Sequence, residues 1–172
     1  IFESEIRSAA AIPETLRRLG LLLGHAEEAA QAAQRFERDW QDLQQRHAGK
    51  PALRVFWQLW HEPLMTVNRE HLIGEAINAC GGVNVFAALP LLTPTVGWEA
   101  AVAADPQLIA TAGRPADTEL DFARWQRFTQ VSAVKHRQFA TLDPDLIGRM
   151  GPRFVQGAAE LCDAIDRARH AH

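Results

Sequence analysis

Cysteine is nearly absent from this chain, with only Cys80 and Cys162 in 172 residues. Two thiols without a Cys-x-x-Cys spacing are too few for a zinc site, which leaves a disulfide or a pair of buried thiols. Long hydrophobic runs are missing as well. The most apolar stretch, Val85 to Leu92, is interrupted by Pro90 and falls far short of the ~20 residues that cross a bilayer, so the chain reads as not membrane-spanning. A surplus of positive charge is the third absence. Lys and Arg number 18 against 21 Asp and Glu, for a net charge of −3, and the two signs are interspersed. No basic stripe offers a footprint for nucleic acid.

Signatures of catalysis are also lacking. There is no glycine-rich dinucleotide fingerprint, no Walker loop and no nucleophile elbow. His61-Glu62 starts like a zinc-protease motif, but Met65 stands where the second His is needed, behind the helix-breaking Pro63. An enzyme has no residue set to rest on here. The chain opens Ile1-Phe2-Glu3 without Met, so a signal peptide is neither shown nor excluded, and residue 1 is read as not the biological start.

What is present suits one well-filled core, with 47% hydrophobic residues and no repeat or low-complexity tract. Leu16, Leu19, Leu22 and Leu23 recur at helical spacing between Pro13 and Gly24, which predicts a short amphipathic helix. From His25 to His47 neither Gly nor Pro intervenes, and Ala26, Ala30, Ala33, Phe36, Trp40, Leu43 and His47 fall three or four apart. This predicts a helix of roughly 33 Å, long enough to connect two lobes, stopped at Gly49 and Pro51. The period then changes. Leu53 to Trp60, rich in aromatics and aliphatics, reads as a buried strand closed by His61-Glu62-Pro63. A helix over 72–80 ends at Gly81-Gly82, with a brief extended piece at 83–86. A helix over 98–104, a strand over 107–112, a polar helix around 119–128, a strand near 137–141 and a last helix over 152–168 follow. Such alternation predicts an α/β fold with a mainly parallel sheet flanked by helices.

In an open α/β sheet, ligands sit beyond the carboxyl ends of the strands. The residues there are Trp60, His61, Glu62 and Met65 after the first strand, Ala112, Gly113 and Arg114 after the second, and Asp143, Asp145 and Arg149 after the third. Trp60, His61 and Met65 offer contact area with an optional polar tip for a large, partly apolar ligand, and the alternative for each is ordinary packing. Asp145 and Arg149, four apart, can pair as a solvated salt bridge or grip a ligand's amides. Glu99 at the start of a helix is either a favourable cap or a docking charge for an arginine of a partner.

Three stretches in order carry a resemblance. Val55-Phe56-Trp57-Gln58-Leu59-Trp60-His61-Glu62-Pro63-Leu64-Met65-Thr66 is similar to the strand and ligand loop of the helical-backbone periplasmic substrate-binding proteins that serve ABC importers of metal chelates and cobalamin. Ala79-Cys80-Gly81-Gly82-Val83-Asn84-Val85-Phe86 resembles that family's Cys-Gly-Gly turn. Trp98-Glu99-Ala100 through Asp105-Pro106-Gln107-Leu108-Ile109 is similar to its docking helix and following strand. The chain is on this ground identified as a member of the cobalamin-binding branch. The resemblance implies a Rossmann-like C-terminal lobe after a long connecting helix, with the N-terminal lobe missing. Residues 1–10 would be the remnant of that lobe, 11–49 a helical segment holding the inter-lobe connector, and 50–172 the C-terminal ligand-binding lobe.

The implied function is non-enzymatic. Cobalamin or a related corrinoid would be captured in an inter-lobe cleft in the periplasm and passed to the permease, with no catalytic cofactor or metal. The alternatives are a haem or ferric-siderophore binder of the same fold, using His61 or Arg149 on the chelate, and a Rossmann-like enzyme or sensor domain. Trp60, His61 and Met65 would form a cleft wall, Asp145 and Arg149 would contact the corrinoid's side groups, Glu99 would meet permease arginines, and Cys80 and Cys162 would be the family's disulfide. Where a cobalamin binder can place a Trp before the docking Glu, this chain has Thr93-Pro94. The chain alone is expected to bind weakly, and apolar surface left by the absent lobe to favour a dimer.

Overall fold

The computed structural model describes residues 6–114, 118 and 122–171. Residues 1–5 of the expected N-terminal-lobe remnant at 1–10 lie outside the described residues, as do residues 119–121 of the expected helix around 119–128. Two helices open the fold, α1 (Ala11–Leu23) and α2 (Ala26–His47). Gly24 joins them in the left-handed region at φ 75°, a conformation that glycine adopts without a Cβ penalty. The apolar stripe of α2 is buried at Ala33, Phe36, Trp40, Leu43 and His47, as its spacing implies, whereas Ala26 is exposed. The reading of α1 needs correcting. Leu19 and Leu21 to Leu23 stand on the surface, the last three about 70% exposed, and the helix buries Ile12, Pro13 and Gly20 instead. The close approach to α2 falls at Gly20, where an added Cβ would come within 2.2 Å of that of Ala29.

The sheet is built from β1 (Leu53–Trp57), β4 (Gly82–Asn84), β5 (Leu108–Ala112) and β6 (Phe139–Leu142), all parallel, in the order β4-β1-β5-β6. Between them run α3 (Leu72–Ala79), α4 (Trp98–Ala103) and α5 (Ser132–Lys135), and after β6 come α6 (Pro144–Ile147) and α7 (Phe154–Arg169). Side chains alternate with period two. Leu53, Val55 and Trp57 share one core with Leu108 and Ala110, under α2, α3 and α7, while Phe56 and Ile109 enter a second core with Trp125 and Val131 on the other face. A sheet covered on both faces explains the near-continuous apolar run in β1. Each such large side chain contributes about 1.5–3 kcal/mol by leaving water.

The expected strand to Trp60 is two pieces. Gln58 N–H still donates to Ala110 O (2.8 Å), but Leu59 N–H turns to Met65 O (2.9 Å). The chain thus leaves the sheet and forms a hairpin of β2 (Trp60–His61) and β3 (Leu64–Met65), with a cis peptide at Glu62-Pro63. In the region around 119–128, Phe122 and Ala123 are helical as expected, and the chain then tightens into a 3-10 turn at Trp125–Arg127 whose Trp125 is wholly buried.

Two local devices lead to testable effects. A Cβ on Gly74 would lie 2.1 Å from the backbone oxygen of Asn68. Gly74→Ala should therefore destabilise by about 1–3 kcal/mol through overpacking against backbone, and chemical denaturation checks it. His71 caps α3, its Nδ1 accepting from Ile73 N–H at 3.1 Å, which requires the neutral ring. Burial lowers the pKa of His71. Burial and then the charge of Lys50 lower that of His47, against the pull of Asp166. Below the ordinary value of 6.5 the unfolded chain takes up protons that the native state resists, so stability falls with acidification and is level above that pH. Thermal midpoints from about pH 8 to about pH 5 should show this decline, and His71→Asn, which can still cap, should flatten part of it.

Candidate functional site

Strand order places a switch point in the sheet. β1 is followed through α3 by β4 on one side, and β4 is followed through α4 by β5 on the other. A crevice therefore opens beyond the carboxyl ends of β1 and β5, where ligands bind in such sheets. The hairpin β2–β3 stands at this edge. Trp60 is 56% exposed, and its ring lies over that of His61 with centroids 5.2 Å apart and planes 22° apart. Its indole N–H donates to Glu62 O at 3.0 Å. Met65 is opposite Trp60 across the hairpin and only partly buried, while Leu64 anchors the hairpin in the second core. The result is a flat aromatic plate with its polar tip already satisfied, suited to a large, partly apolar surface.

Two buried asparagines fasten this loop. Asn68 Nδ2 donates to Leu89 O (3.0 Å), and its Oδ1 accepts from the N–H of Glu70 (2.9 Å) and of His71 (3.2 Å). Asn84 Nδ2 donates to Val67 O (2.8 Å). The Thr93-Pro94 segment packs along β3, with Thr66 N–H donating to Pro94 O and Thr95 bridging Met65. Gln58 Oε1 accepts from the indole of buried Trp125 (2.8 Å), and Thr111 Oγ1 donates to Gln58 O (2.8 Å). Gln58 Nε2 and Thr66 Oγ1, on either flank of the hairpin, are buried without a hydrogen-bond partner among the described residues. Such groups cost stability, roughly 1–3 kcal/mol each.

Asp145 and Arg149 sit beyond β6, in and after α6. Both Nε and Nη2 of Arg149 donate to Asp145 Oδ1, at 2.9 and 2.6 Å. That hydrogen bonding and charge, with smaller help from Arg153 and Arg114, hold the Asp145 carboxyl below its ordinary pKa against desolvation. The pair is exposed, so it contributes little to stability. β5 lies between β1 and β6, so the Trp60 hairpin and the Asp145–Arg149 pair follow the carboxyl ends of two strands that flank β5, with Arg114 after β5 between them in strand order. Glu99 is exposed in the first turn of α4. That helix runs from the carboxyl end of β4 to the amino end of β5, which puts Glu99 on the same side of the sheet. Cys80 and Cys162 form a disulfide with Cα atoms 4.8 Å apart. Cys80 follows α3, at the amino end of β4, away from the crevice.

Arg124 escaped the sequence reading. Its Nη2 donates to Glu62 Oε2 at 2.5 Å and its Nη1 to His61 O at 3.5 Å. With His61, Ala123 and Arg127 it lines a concavity of about 560 Å³ beside the hairpin. Arg127 lies over the rings of Phe128 (4.8 Å) and Trp98 (5.6 Å). Only charge type was legible for Arg124, because its partners are 62 and 63 residues away. No cluster of potential metal ligands occurs among the described residues, and none of their helices is long and apolar enough to cross a membrane.

Known proteins share this fold. A vitamin B12-binding protein of Vibrio cholerae serotype O1 is 28% identical over 169 residues, covering 98% of this chain and 60% of the relative. A crystal structure of the periplasmic vitamin B12-binding protein of Vibrio cholerae superposes with a TM-score of 0.83 at 28% identity, over 98% of this chain and 66% of that one. A periplasmic heme-binding protein from Roseiflexus, at 20% identity, shares the fold with a TM-score of 0.82, over 96% of this chain and 65% of that one. The chain thus spans about 60% of the length of the curated relative. The family model described as periplasmic binding protein matches residues 2–146. The chain belongs to the periplasmic binding protein family.

Proposed function

We propose that the protein captures a corrinoid, cobalamin above all, at the carboxyl edge of its sheet and delivers it to the permease of an ABC importer. The similarity to vitamin B12-binding relatives along almost the whole chain carries this reading. The edge chemistry supports it. Trp60, His61 and Met65 offer an apolar wall, and Asp145 and Arg149, beyond the carboxyl end of β6, offer polar contacts for amide side groups. Residues 50–172 then act as the ligand-binding lobe and residues 11–49 carry the connector to a second lobe that covers the ligand. Glu99, exposed on the same side, is the docking carboxylate for permease arginines.

A second reading keeps the fold and changes the cargo. His61 at the edge, three arginines around Asp145 and the likeness in fold to a heme-binding protein suit haem or a ferric siderophore. Calorimetric titration of the full-length protein with cyanocobalamin, haem and a ferric siderophore separates the two. Saturable heat with cyanocobalamin that haem does not abolish is the expected result. Haem binding alone would establish the second reading, and no heat with any of the three would overturn both.

A further inference from the structure

We propose that Arg124 is a positioning residue that latches the Trp60–His61 plate in its ligand-facing pose. The ligand, but not the geometry, rests on the corrinoid reading above. Leu64 anchors one two-residue strand of the hairpin in the second core, whereas the other carries Trp60, mostly in water, and has little burial of its own to hold it. The latch supplies the missing hold. Trp60 Nε1 donates to Glu62 O, the Glu62 carboxylate accepts from Arg124, and Arg124 reaches back to His61 O.

Arg124 is itself tied to the core. The next residue, Trp125, is wholly buried and donates to Gln58 Oε1, and Gln58 is two residues before Trp60. A closed circuit results, running along the chain from Gln58 to Glu62, across the ion pair to Arg124, and through Trp125 back to Gln58. Arg127, engaged over Trp98 and Phe128, does not duplicate the role. Fixing an aromatic plate before the ligand arrives removes an ordering cost from binding, worth roughly three- to tenfold in affinity.

Arg124→Ala, Glu62→Gln and the double variant of the full-length protein test this with two readouts. In the free protein, solvent exchange of the Trp60 indole N–H, followed by ¹⁵N NMR, should quicken about fivefold in each single variant and no further in the double. The Kd for cyanocobalamin should rise roughly three- to tenfold, again without additivity, with the thermal midpoint almost unmoved because the pair is exposed. Unchanged indole exchange in both single variants, or additive losses in the double, would overturn the latch whether or not cyanocobalamin binds. If the parent protein binds no corrinoid, the functional reading fails while the exchange measurement still decides the latch.

Discussion

Trp60→Ala should weaken cobalamin binding by roughly thirtyfold, the effect expected for a central aromatic anchor, while leaving the thermal midpoint nearly unchanged. The two halves of this expectation come from one fact. Trp60 is 56% exposed and its indole N–H is satisfied within the hairpin, so the folded protein loses little when the ring goes. A ligand laid on the plate loses most of its contact area there. Trp57 and Trp125 are wholly buried, and their replacement by Ala should cost about 3–5 kcal/mol of stability instead. Calorimetric binding beside thermal unfolding distinguishes the two classes. Trp60→Ala with unaltered affinity would remove the hairpin from the site.

Loss of the Cys80–Cys162 disulfide should cost about 4–5 kcal/mol in the chain-entropy model, since it closes a loop across 82 positions. For a chain of this length that corresponds to roughly 10–15 °C in Tm. The joint has a second, non-covalent hold. Arg169 donates to the backbone oxygens of Cys80 (2.7 Å), Gly81 (2.9 Å) and Pro51 (2.7 Å) and pairs with Asp166, which also accepts from Lys50 at 2.7 Å. The double Cys80→Ala, Cys162→Ala variant should therefore fold at room temperature and melt early. An oxidising periplasm suits such a bond. Thiol titration of the unreduced protein should find no free thiol, and two free cysteines would contradict the bond.

Much of this architecture is legible in the order of residues, because periodic burial writes itself into periodic sequence. The stripe of α2 follows from the one face that meets the core, and the unbroken small-to-apolar run of β5 from its burial on both faces. Pairings set by tertiary contact are another matter. An apolar run such as Trp57-Gln58-Leu59-Trp60 does not reveal where the chain leaves the sheet, since Trp57 is buried and Trp60 is not. The leucines of α1 show helical spacing without showing what they face, and three of them face water. At the site, Asp145 and Arg149 were legible through their four-residue spacing. The Glu62–Arg124 pair, separated by 62 positions, was not. The disulfide came through family resemblance, because two lone cysteines also fit buried thiols.

The proposed corrinoid site at the carboxyl edge is tested most directly by ¹H–¹⁵N NMR of the full-length protein titrated with cyanocobalamin. Shift changes should concentrate at the Trp60 indole, His61, Met65, Asp145 and Arg149, and leave the Cys80–Cys162 side of the molecule still. Saturable changes confined to another surface, such as the groove between β6 and α7 lined by Thr141, Glu160 and Arg167, or no changes at all, would contradict it.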